Sequence, residues 1–332
     1  PEPNAVRCRF GDNPLRHRRH GFATVTAMAL STVQASLSGV ALSGAVFGAA
    51  NALGFGISAA TGSHLHLDLI GTGAFVVNAA VSIARCKQGS PLPLRTVVTA
   101  ACVGAWGTRL ASFLFYRVLQ TKHDARLDEM LSTTGGAAQF WFLSFLWGWL
   151  VALPQSLLTG APRAAVPPLG IVGKAWVGVF AAGFVIEGMA DVQKLAYKNG
   201  LKDGSLGPDA PLWCGTGVWE YSQHPNYAGN LMMWGSVFMI SAPALMRGPD
   251  ASVGGKSMPM RTLSLVRGNR AVLAAAVGPI FLWTLLSGQA TGALTDAAES
   301  AEARYGSDPA WQNYRETTPP IFPGLPANPW AK

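Results

Sequence analysis

The sequence is poor in charged residues. Only 13% of its 332 residues are Asp, Glu, Lys or Arg, whereas soluble domains average nearer a quarter. Hydrophobic residues make up 49% of the chain, and the mean hydropathy is +0.26. This shortage of charge, together with long apolar runs, argues against a soluble domain and predicts a polytopic membrane protein.

Several common site patterns are also missing. The four cysteines form no CxxC pair and have no zinc-ligand spacing, so the sequence predicts no metal site. No GxGxxG follows a strand pattern, which argues against a Rossmann-type dinucleotide domain. No repeat of solenoid period is present. One helical domain is the simplest account.

The apolar runs predict an all-α fold, a polytopic membrane helical bundle of about six to eight transmembrane helices, each about twenty residues long. The stretch 22–60 is apolar but Ser-rich, and holds one helix or two. The other predicted spans are 67–84, 96–119, 139–159, 168–189, 227–245 and 271–290. We assign residues 1–21 to a basic N-terminal arm, 22–325 to the transmembrane domain and 326–332 to a C-terminal tail.

The basic residues predict contact with membrane lipids rather than with nucleic acid. The net charge of +8 is spread through the loops between apolar runs, where Lys and Arg meet anionic headgroups. The only dense cluster is the stretch 16–20. Because an Arg-rich, acid-poor start is typical of an organellar presequence, we expect an organellar (mitochondrial or plastid) membrane or the endoplasmic reticulum.

Counting spans predicts that three polar segments share one face of the membrane. The segments 120–138, 190–226 and 291–332 are separated by two spans each, whatever happens in 22–60. They hold most of the polar residues that are candidates for a site: Asp124, Arg126, Asp191, Lys194, His224, Asn226, Tyr305 and Tyr314. We therefore expect polar loops to converge on one membrane face and to form a site there.

Ionisable residues inside the spans are the next candidates. Glu187, Asp191 and Lys194 have spacings of four and three, which place them on one helix face. Glu187 follows an apolar run, where an unpaired carboxylate is costly. Arg109 lies in the middle of a span and must pair with an acid or face the bundle interior. A structural pair with Glu187 or Asp68 and a role in ligand binding both remain open.

The residues His224, Pro225, Asn226 and Tyr227 form the sharpest polar constellation. Pro225 restricts His224 to an extended conformation and is suited to the first position of a helix. The backbone N–H groups at such a helix start favour an anion such as phosphate. The alternative is a turn that merely enters the next helix.

The stretch 217–230 resembles the Gly-Leu-Trp-x-x-Ser-Arg-His-Pro-Asn-Tyr-Phe-Gly-Glu signature of the DUF1295 membrane proteins. These belong to a superfamily that includes steroid 5α-reductases, sterol reductases and isoprenylcysteine carboxyl methyltransferases. The likeness extends in order over about 64–325. It includes Trp-Gly-Thr-Arg-Leu at 106–110 with Arg117, Asp-Ala-Arg at 124–126, the helix 187–194, and a C-terminal pattern from Tyr305 to Pro319.

The resemblance implies a membrane reductase that holds NADPH where these loops converge. In such enzymes a hydride passes to the β-carbon of an enone in an apolar, lipid-like substrate. The resemblance implies Tyr227 and Glu187 as catalytic residues, with Tyr227 or another buried acid supplying the proton. The residues implied in NADPH binding are Asp191, His224, Asn226, Tyr227, Asn230, Arg126 and Tyr305.

The chain departs from the family pattern within the signature. Gln223 stands where the family usually has Arg, Asn230 where it has Glu, and Ala228 where it has an aromatic residue. The first two changes remove a cation and a carboxylate, and they favour an alternative function. In that alternative the protein is a structural or accessory subunit that binds other membrane-protein subunits of a larger complex. A methyltransferase that uses S-adenosylmethionine is a further alternative.

Overall fold

In the computed structural model the chain is a bundle of α-helices. The structure describes residues 14–86, 91–121, 128–246, 258–294 and 297–323, and within them no β-strand occurs. Side chains are described for these residues outside 14–37, 128–129, 258–269 and 297–300. The helices are α1 (Pro14–Thr61), α2 (Leu67–Cys86), α3 (Leu94–Thr121), α4 (Asp128–Leu131), α5 (Thr134–Val151), α6 (Leu153–Gly160), α7 (Ile171–Asp203), α8 (Pro225–Met246), α9 (Met258–Thr291), α10 (Ala297–Tyr305) and α11 (Pro309–Thr317).

Six of these helices contain a segment long and apolar enough to cross a membrane: Ser38–Thr61, Leu67–Cys86, Leu94–Thr121, Ile171–Asp203, Pro225–Met246 and Arg270–Thr291. The helices α5 and α6 pass the same test together, but they are bent by 53°. The protein is therefore a multi-pass membrane protein, as its composition predicts. The stretch 22–60 holds one helix, because α1 continues without a break to Thr61.

The bent pair α5–α6 runs from one end of the bundle to the other. In α5, the Trp141 indole nitrogen donates to Ser58 at 3.2 Å, near the end of α1. In α6, the Cys86 thiol donates to the Thr159 carbonyl at 3.3 Å, at the end of α2. Since α1 ends at the opposite side from α2, the pair traverses the bundle as a broken crossing, which makes seven crossings in the part of the chain that the structure describes.

The predicted span 139–159 was wrong in its continuity. Pro154 stands at the start of α6, where its missing N–H and its ring interrupt the hydrogen bonding of the preceding turn. Pro243 and Pro279 lie inside α8 and α9 without ending them. The sequence does not show which proline breaks a helix, because the neighbouring helices decide whether the freed carbonyls are covered.

Two predicted boundaries were also wrong. The span 168–189 continues as α7 to Asp203. Asp191 and Lys194 therefore belong to the same helix as Glu187, as their spacing predicts, although span counting assigns them to the segment 190–226. The helix ends at Gly204, whose φ of 75° suits glycine. Likewise α9 begins at Met258, before the predicted start at 271. Polar residues continue α7 because its turns beyond the membrane need no apolar face.

Long-range contacts of Arg95 fix the directions of the central helices. At the start of α3, Arg95 donates to the carbonyls of Pro167 and Pro168, which precede α7, and to that of Ile240 near the end of α8. Helices α3 and α7 therefore run in the same direction, and α8 runs against them. The ends of α3 and α7 and the start of α8 lie at one end of the bundle, which we call the site end.

Candidate functional site

A charged network inside the bundle joins α3 to α7. Arg109 donates one terminal nitrogen to Glu187 and the other to Asp191, the latter at 2.5 Å. The two carboxylates are one turn apart on α7 and share a face, as their spacing predicts. The side chains are 19% (Arg109), 5% (Glu187) and 14% (Asp191) exposed. Arg109 thus pairs with two acids of α7, Glu187 and Asp191, whereas Asp68 lies 3.8 Å from Arg117.

Asn230 of α8 completes the network. Its side-chain nitrogen donates to Glu187 Oε1 at 2.8 Å, so both oxygens of that carboxylate have a donor. The short reach of Asn230 requires close backbones. A Cβ on Gly229 would lie 2.8 Å from the Glu187 backbone nitrogen, and one on Gly183 would lie 2.6 Å from the Gly229 carbonyl. Glycine at both positions therefore lets α7 and α8 touch.

An aromatic floor lies beneath the network, toward the bundle interior. The rings of Trp106 and Trp234 meet edge to face at 5.0 Å, and Phe75 packs against both, at 5.0 and 5.3 Å. All three are almost fully buried. The Trp106 indole lies beside Glu187, and its nitrogen forms no hydrogen bond of regular geometry with the described residues. The indole nitrogen of Trp234 is buried without a hydrogen-bond partner among the described residues.

The predicted His-Pro-Asn-Tyr constellation lies at the start of α8. The helix begins at Pro225, and the His224 carbonyl accepts from the backbone N–H groups of Tyr227 and Ala228. The His224 ring stacks on Tyr227 at 4.8 Å with 9° between the planes. Burial, assisted by the positive charge of Lys194, lowers the pKa of His224 to about 3. The ring is therefore neutral at pH 7, and it does not supply a cation for phosphate.

Asn226 carries an unsatisfied group at the same helix start. Its side-chain oxygen is buried and accepts no hydrogen bond from the described residues. Asn226, Asn230 and Trp234 are spaced by four, so they form one stripe along α8. The middle residue binds Glu187, and the other two present an unpaired acceptor and an unpaired donor. We call these three residues the α8 stripe.

The end of α7 binds the turn that precedes α8. The Lys194 ammonium lies 4.3 Å above the Trp219 ring, and the Trp219 indole donates to the Ala190 carbonyl at 3.1 Å. The Gln193 side chain accepts from the backbone N–H of Val218 at 3.0 Å. These contacts hold the turn 216–221, which we call the signature turn, against α7.

The C-terminal segment 309–321 packs on the same turn. The Tyr314 hydroxyl donates to the Trp219 carbonyl at 2.8 Å, and burial raises the pKa of Tyr314. The Gln223 side chain donates to the Thr318 carbonyl at 2.5 Å and to that of Arg315 at 3.1 Å. The Ser222 hydroxyl donates to the Ile321 carbonyl at 2.7 Å. The segments 203–226 and 309–321 therefore meet at the site end, as span counting predicts.

The predicted site residues that the structure describes lie in three places. Glu187, Asp191 and Asn230 lie in the network, and His224, Asn226 and Tyr227 lie at the start of α8. Tyr305 packs with Trp213 at 5.9 Å and Trp311 at 5.2 Å. Arg126, with Asp124, falls in 122–127, outside the described residues.

Sequence reasoning missed Trp234 as a site residue. Its spacing of four from Asn230 is a signal that identifies it, once Asn230 is known to face α7. Among the described residues, no group of three His, Cys, Asp or Glu side chains is placed to hold a metal. His66, which directly precedes α2, stacks on Trp141 at 5.6 Å and forms a hydrogen bond with the Gly54 carbonyl at 2.9 Å.

The fold and this site define a polytopic helical membrane protein with a buried arginine–carboxylate network. The polar segments 203–226 and 309–321 meet at the same end of the bundle. The chain belongs to the family described as "Protein of unknown function (DUF1295)", whose model matches residues 54–260. No curated protein and no solved structure is significantly similar to it.

Proposed function

We propose that the protein is an NADPH-dependent membrane oxidoreductase that reduces a C=C bond in a steroid-like or other apolar lipid. The α8 stripe is the observation that carries this proposal. Two buried, unpaired polar atoms flank Asn230 on one helix face. Burying such atoms without partners is costly, and a ligand that supplies an acceptor to Trp234 and a donor to Asn226 satisfies both. This proposal also assigns the family to the steroid 5α-reductase-like superfamily.

The residues at the start of α8 fit the nicotinamide and ribose portions of NADPH. Asn226 offers its oxygen to an amide or hydroxyl donor, and neutral His224 both donates and accepts. Lys194 and the N-terminus of α8 supply positive potential for phosphate. NADPH, when bound, supplies the hydride. Asp191 holds Arg109. Arg126 is a further residue that we assign to NADPH binding.

Tyr227 is the proton donor in this proposal. Stacking on His224 fixes the plane of its ring, and Tyr227 precedes Asn230 by three positions, so both lie on nearby parts of one helix face. Glu187 is bound by Arg109 and by Asn230. We therefore assign Glu187 to positioning Arg109 and Asn230 rather than to proton donation.

The aromatic floor fits an apolar substrate. Phe75, Trp106 and Trp234 pack edge to face below the network, and aromatic side chains of this kind bind flat or extended hydrocarbon. The Trp234 indole donates to a carbonyl oxygen conjugated with the reducible double bond. Surrounding membrane lipids are the medium from which the substrate enters.

A structural or accessory subunit is the second candidate, and two observations favour it. The Gln223 side chain, at the position where the family has Arg, is used by two carbonyls of the C-terminal segment. Both terminal nitrogens of Arg109 are also occupied by carboxylates. These contacts stabilise the fold without a ligand. A methyltransferase that uses S-adenosylmethionine is the third candidate, through the His-Pro-Asn region alone.

The deciding experiment is equilibrium binding of NADPH to the purified full-length chain in nanodiscs. We expect saturable binding that weakens about tenfold in Asn226→Ala and in His224→Ala, as loss of about 1.4 kcal/mol implies. Tyr221→Ala is the matched control, because Tyr221 lies in the same turn and is 68% exposed.

Two other outcomes decide between the candidate functions, and a third measurement identifies the membrane. Absence of NADPH binding, with stable co-purification in a defined membrane assembly, would support the accessory subunit. Saturable binding of S-adenosylmethionine instead would support the methyltransferase. Localisation of the tagged full-length chain distinguishes the endoplasmic reticulum from an organellar membrane.

A further inference from the structure

The turn between α1 and α2, residues 62–66, lies at the site end. Helix α2 leads into α3, whose start near Arg95 lies at the opposite end of the bundle. The end of α1 and the start of α2 are therefore on the same face of the membrane as the signature turn. Two half-buried histidines, His64 and His66, belong to the turn 62–66, and neither has a part in the proposed function.

Both histidines contact one buried hydroxyl, that of Ser58 near the end of α1. Ser58 is 3% exposed. Three ring nitrogens surround its Oγ, namely Trp141 Nε1 at 3.2 Å, His64 Nδ1 at 3.3 Å and His66 Nε2 at 3.4 Å. These are the hydrogen-bond partners of the hydroxyl among the described residues. Ser58 therefore joins α1, the turn and α5.

The chemistry of these partners fixes where the protons lie. An indole nitrogen only donates, so Trp141 donates to Ser58. His66 Nε2 lies 2.9 Å from the Gly54 carbonyl, which only accepts, so this nitrogen also carries a proton. The Ser58 proton then has one acceptor left, which is His64 Nδ1. The His64 ring is therefore neutral, with its proton on Nε2.

Protonation of His64 is incompatible with this arrangement. A hydroxyl oxygen has two lone pairs and accepts two hydrogen bonds, whereas a charged His64 would be a third N–H donor at Ser58 Oγ. The Ser58 proton would also lose its acceptor. Because Ser58 is buried, water does not replace that acceptor, and a buried donor without a partner is costly.

Protonation of His66 does not have this effect. Its Nε2 keeps the proton that it donates to Gly54. Its ring lies at 17° to that of Trp141, with the centroids 5.6 Å apart, and the face of an indole attracts a positive charge placed in this way. The arrangement around Ser58 is therefore sensitive to protonation at His64 alone.

The other charged groups at the turn belong to α2 and α3. Asp68 lies in the first turn of α2, and Arg117 of α3 lies 3.8 Å from it. These two charges have opposite signs, so their effects on a charge at His64 oppose each other. The helical segments that pack on the turn, Ser38–Thr61 and Thr134–Val151, contain no ionisable side chain.

We propose that Ser58 and His64 form a pH-sensitive latch at the site end, closed while His64 is neutral and opened when His64 is protonated. Opening releases the turn 62–66 from α1 and α5 and brings the charged ring into water. Because the open form binds one more proton than the closed form, acidification favours it. Histidine side chains as a class change charge between about pH 5 and 8. The latch lies outside the α8 stripe and does not depend on the proposed NADPH-dependent reaction.

The test compares hydrogen exchange of residues 58–66 in the full-length chain and in His64→Asn, both in nanodiscs at pH 7.5 and pH 5. Asn places an oxygen near the position of His64 Nδ1, so it accepts from Ser58 but is not protonated. The ratio of the two exchange rates cancels the intrinsic effect of pH on exchange. Both chains also carry His224→Phe, so that protonation at the start of α8 does not contribute.

We expect a ratio of about one at pH 7.5. At pH 5 the chain with His64 should exchange about tenfold faster, which corresponds to about 1.4 kcal/mol. His66→Gln keeps a donor for Gly54 and should keep this response, whereas Ser58→Ala removes the hydroxyl and should abolish it. Selective ¹⁵N-histidine NMR at pH 8 should show the His64 proton on Nε2.

Four results would overturn the latch. They are an equal exchange ratio at both pH values, loss of the response in His66→Gln, its persistence in Ser58→Ala, and a proton on His64 Nδ1 at pH 8. The NMR measurement needs no substitution, so it decides the matter even where a variant fails to fold.

Discussion

Asn230 donates its side-chain amide to the buried carboxylate of Glu187 at 2.8 Å. This contact gives a physical reason for one of the departures from the family signature. A neutral donor at position 230 matches a carboxylate that Arg109 also binds. A carboxylate at position 230 would instead face Glu187 with a like charge.

The contact predicts the outcome of a matched pair of substitutions. Asn230→Leu removes the donor and leaves Glu187 Oε1 unsatisfied, so we expect a loss of about 1–3 kcal/mol. Asn51→Leu is the control, because it makes the same change at a buried residue whose Oδ1 is already unpaired and whose amide donates only to a carbonyl of its own helix, that of Phe47. Thermal unfolding in detergent measures both. A midpoint for Asn51→Leu as low as that of Asn230→Leu would contradict this explanation.

Arg109 is expected to be essential to stability. Arg109→Leu leaves two carboxylates buried without their cation, a change that costs about 3–5 kcal/mol. Arg117→Leu is the control, because its pair with Asp68 is longer, at 3.8 Å, and is about one-third exposed; it should cost less than about 1 kcal/mol.

The triple variant Arg109→Leu/Glu187→Gln/Asp191→Asn removes the charges together. It should recover most of the lost stability in the same unfolding assay, because no charge is then left unpaired. Failure of this recovery would show that Arg109 acts through packing rather than through its charge.

His224 predicts a pH dependence of stability. Its pKa is about 3 in the folded protein, against an ordinary value of 6.5 that applies to the unfolded chain. Between pH 3 and pH 6.5 the unfolded chain therefore binds more protons than the folded protein. The stability due to neutral His224 is therefore fully present above pH 6.5 and is lost as the pH falls toward 3. His224→Phe keeps a ring against Tyr227 but cannot be protonated. It should reduce the slope of the free energy of unfolding against pH by up to about 1.4 kcal/mol per pH unit. Unfolding midpoints between pH 7.5 and 5 provide the measurement, and parallel profiles for parent and variant would refute it.

Gln223 is expected to hold the C-terminal segment in place. Gln223→Leu removes two side-chain hydrogen bonds to the segment 309–321, each contributing about 0.5–1.5 kcal/mol. Hydrogen exchange of the segment should therefore accelerate about tenfold or more. Tyr221→Leu, two positions away and 68% exposed, is the control and should leave the exchange unchanged. If Gln223→Leu also leaves it unchanged, the backbone contacts alone secure the segment.

The sequence predicts the parts of this site that follow from helix periodicity. Glu187 and Asp191 share a face because they are four positions apart, and Pro225 begins α8 because its conformation suits a helix start. Span counting places the signature turn and the C-terminal segment at the same end. These inferences use only local geometry and the thickness of the membrane.

The partners across helices could not be predicted. Whether Arg109 pairs with Asp68 or with α7 depends on the relative rotation of three helices, which is set by contacts such as the one between Gly183 and Gly229. The break at Pro154 has the same origin, since two other prolines are tolerated inside helices. The unpaired atoms of Asn226 and Trp234 become visible only once burial is known.

The contact between Gly183 and Gly229 also limits how the protein can move. Backbone meets backbone at this point, so α7 and α8 have no side chains there that could rearrange, and we expect the two helices to move together. Access to the α8 stripe then has two routes, outward displacement of α3 or detachment of the C-terminal segment. The second breaks fewer charged contacts, so turnover of any ligand at this site is expected to follow the opening rate of residues 309–321.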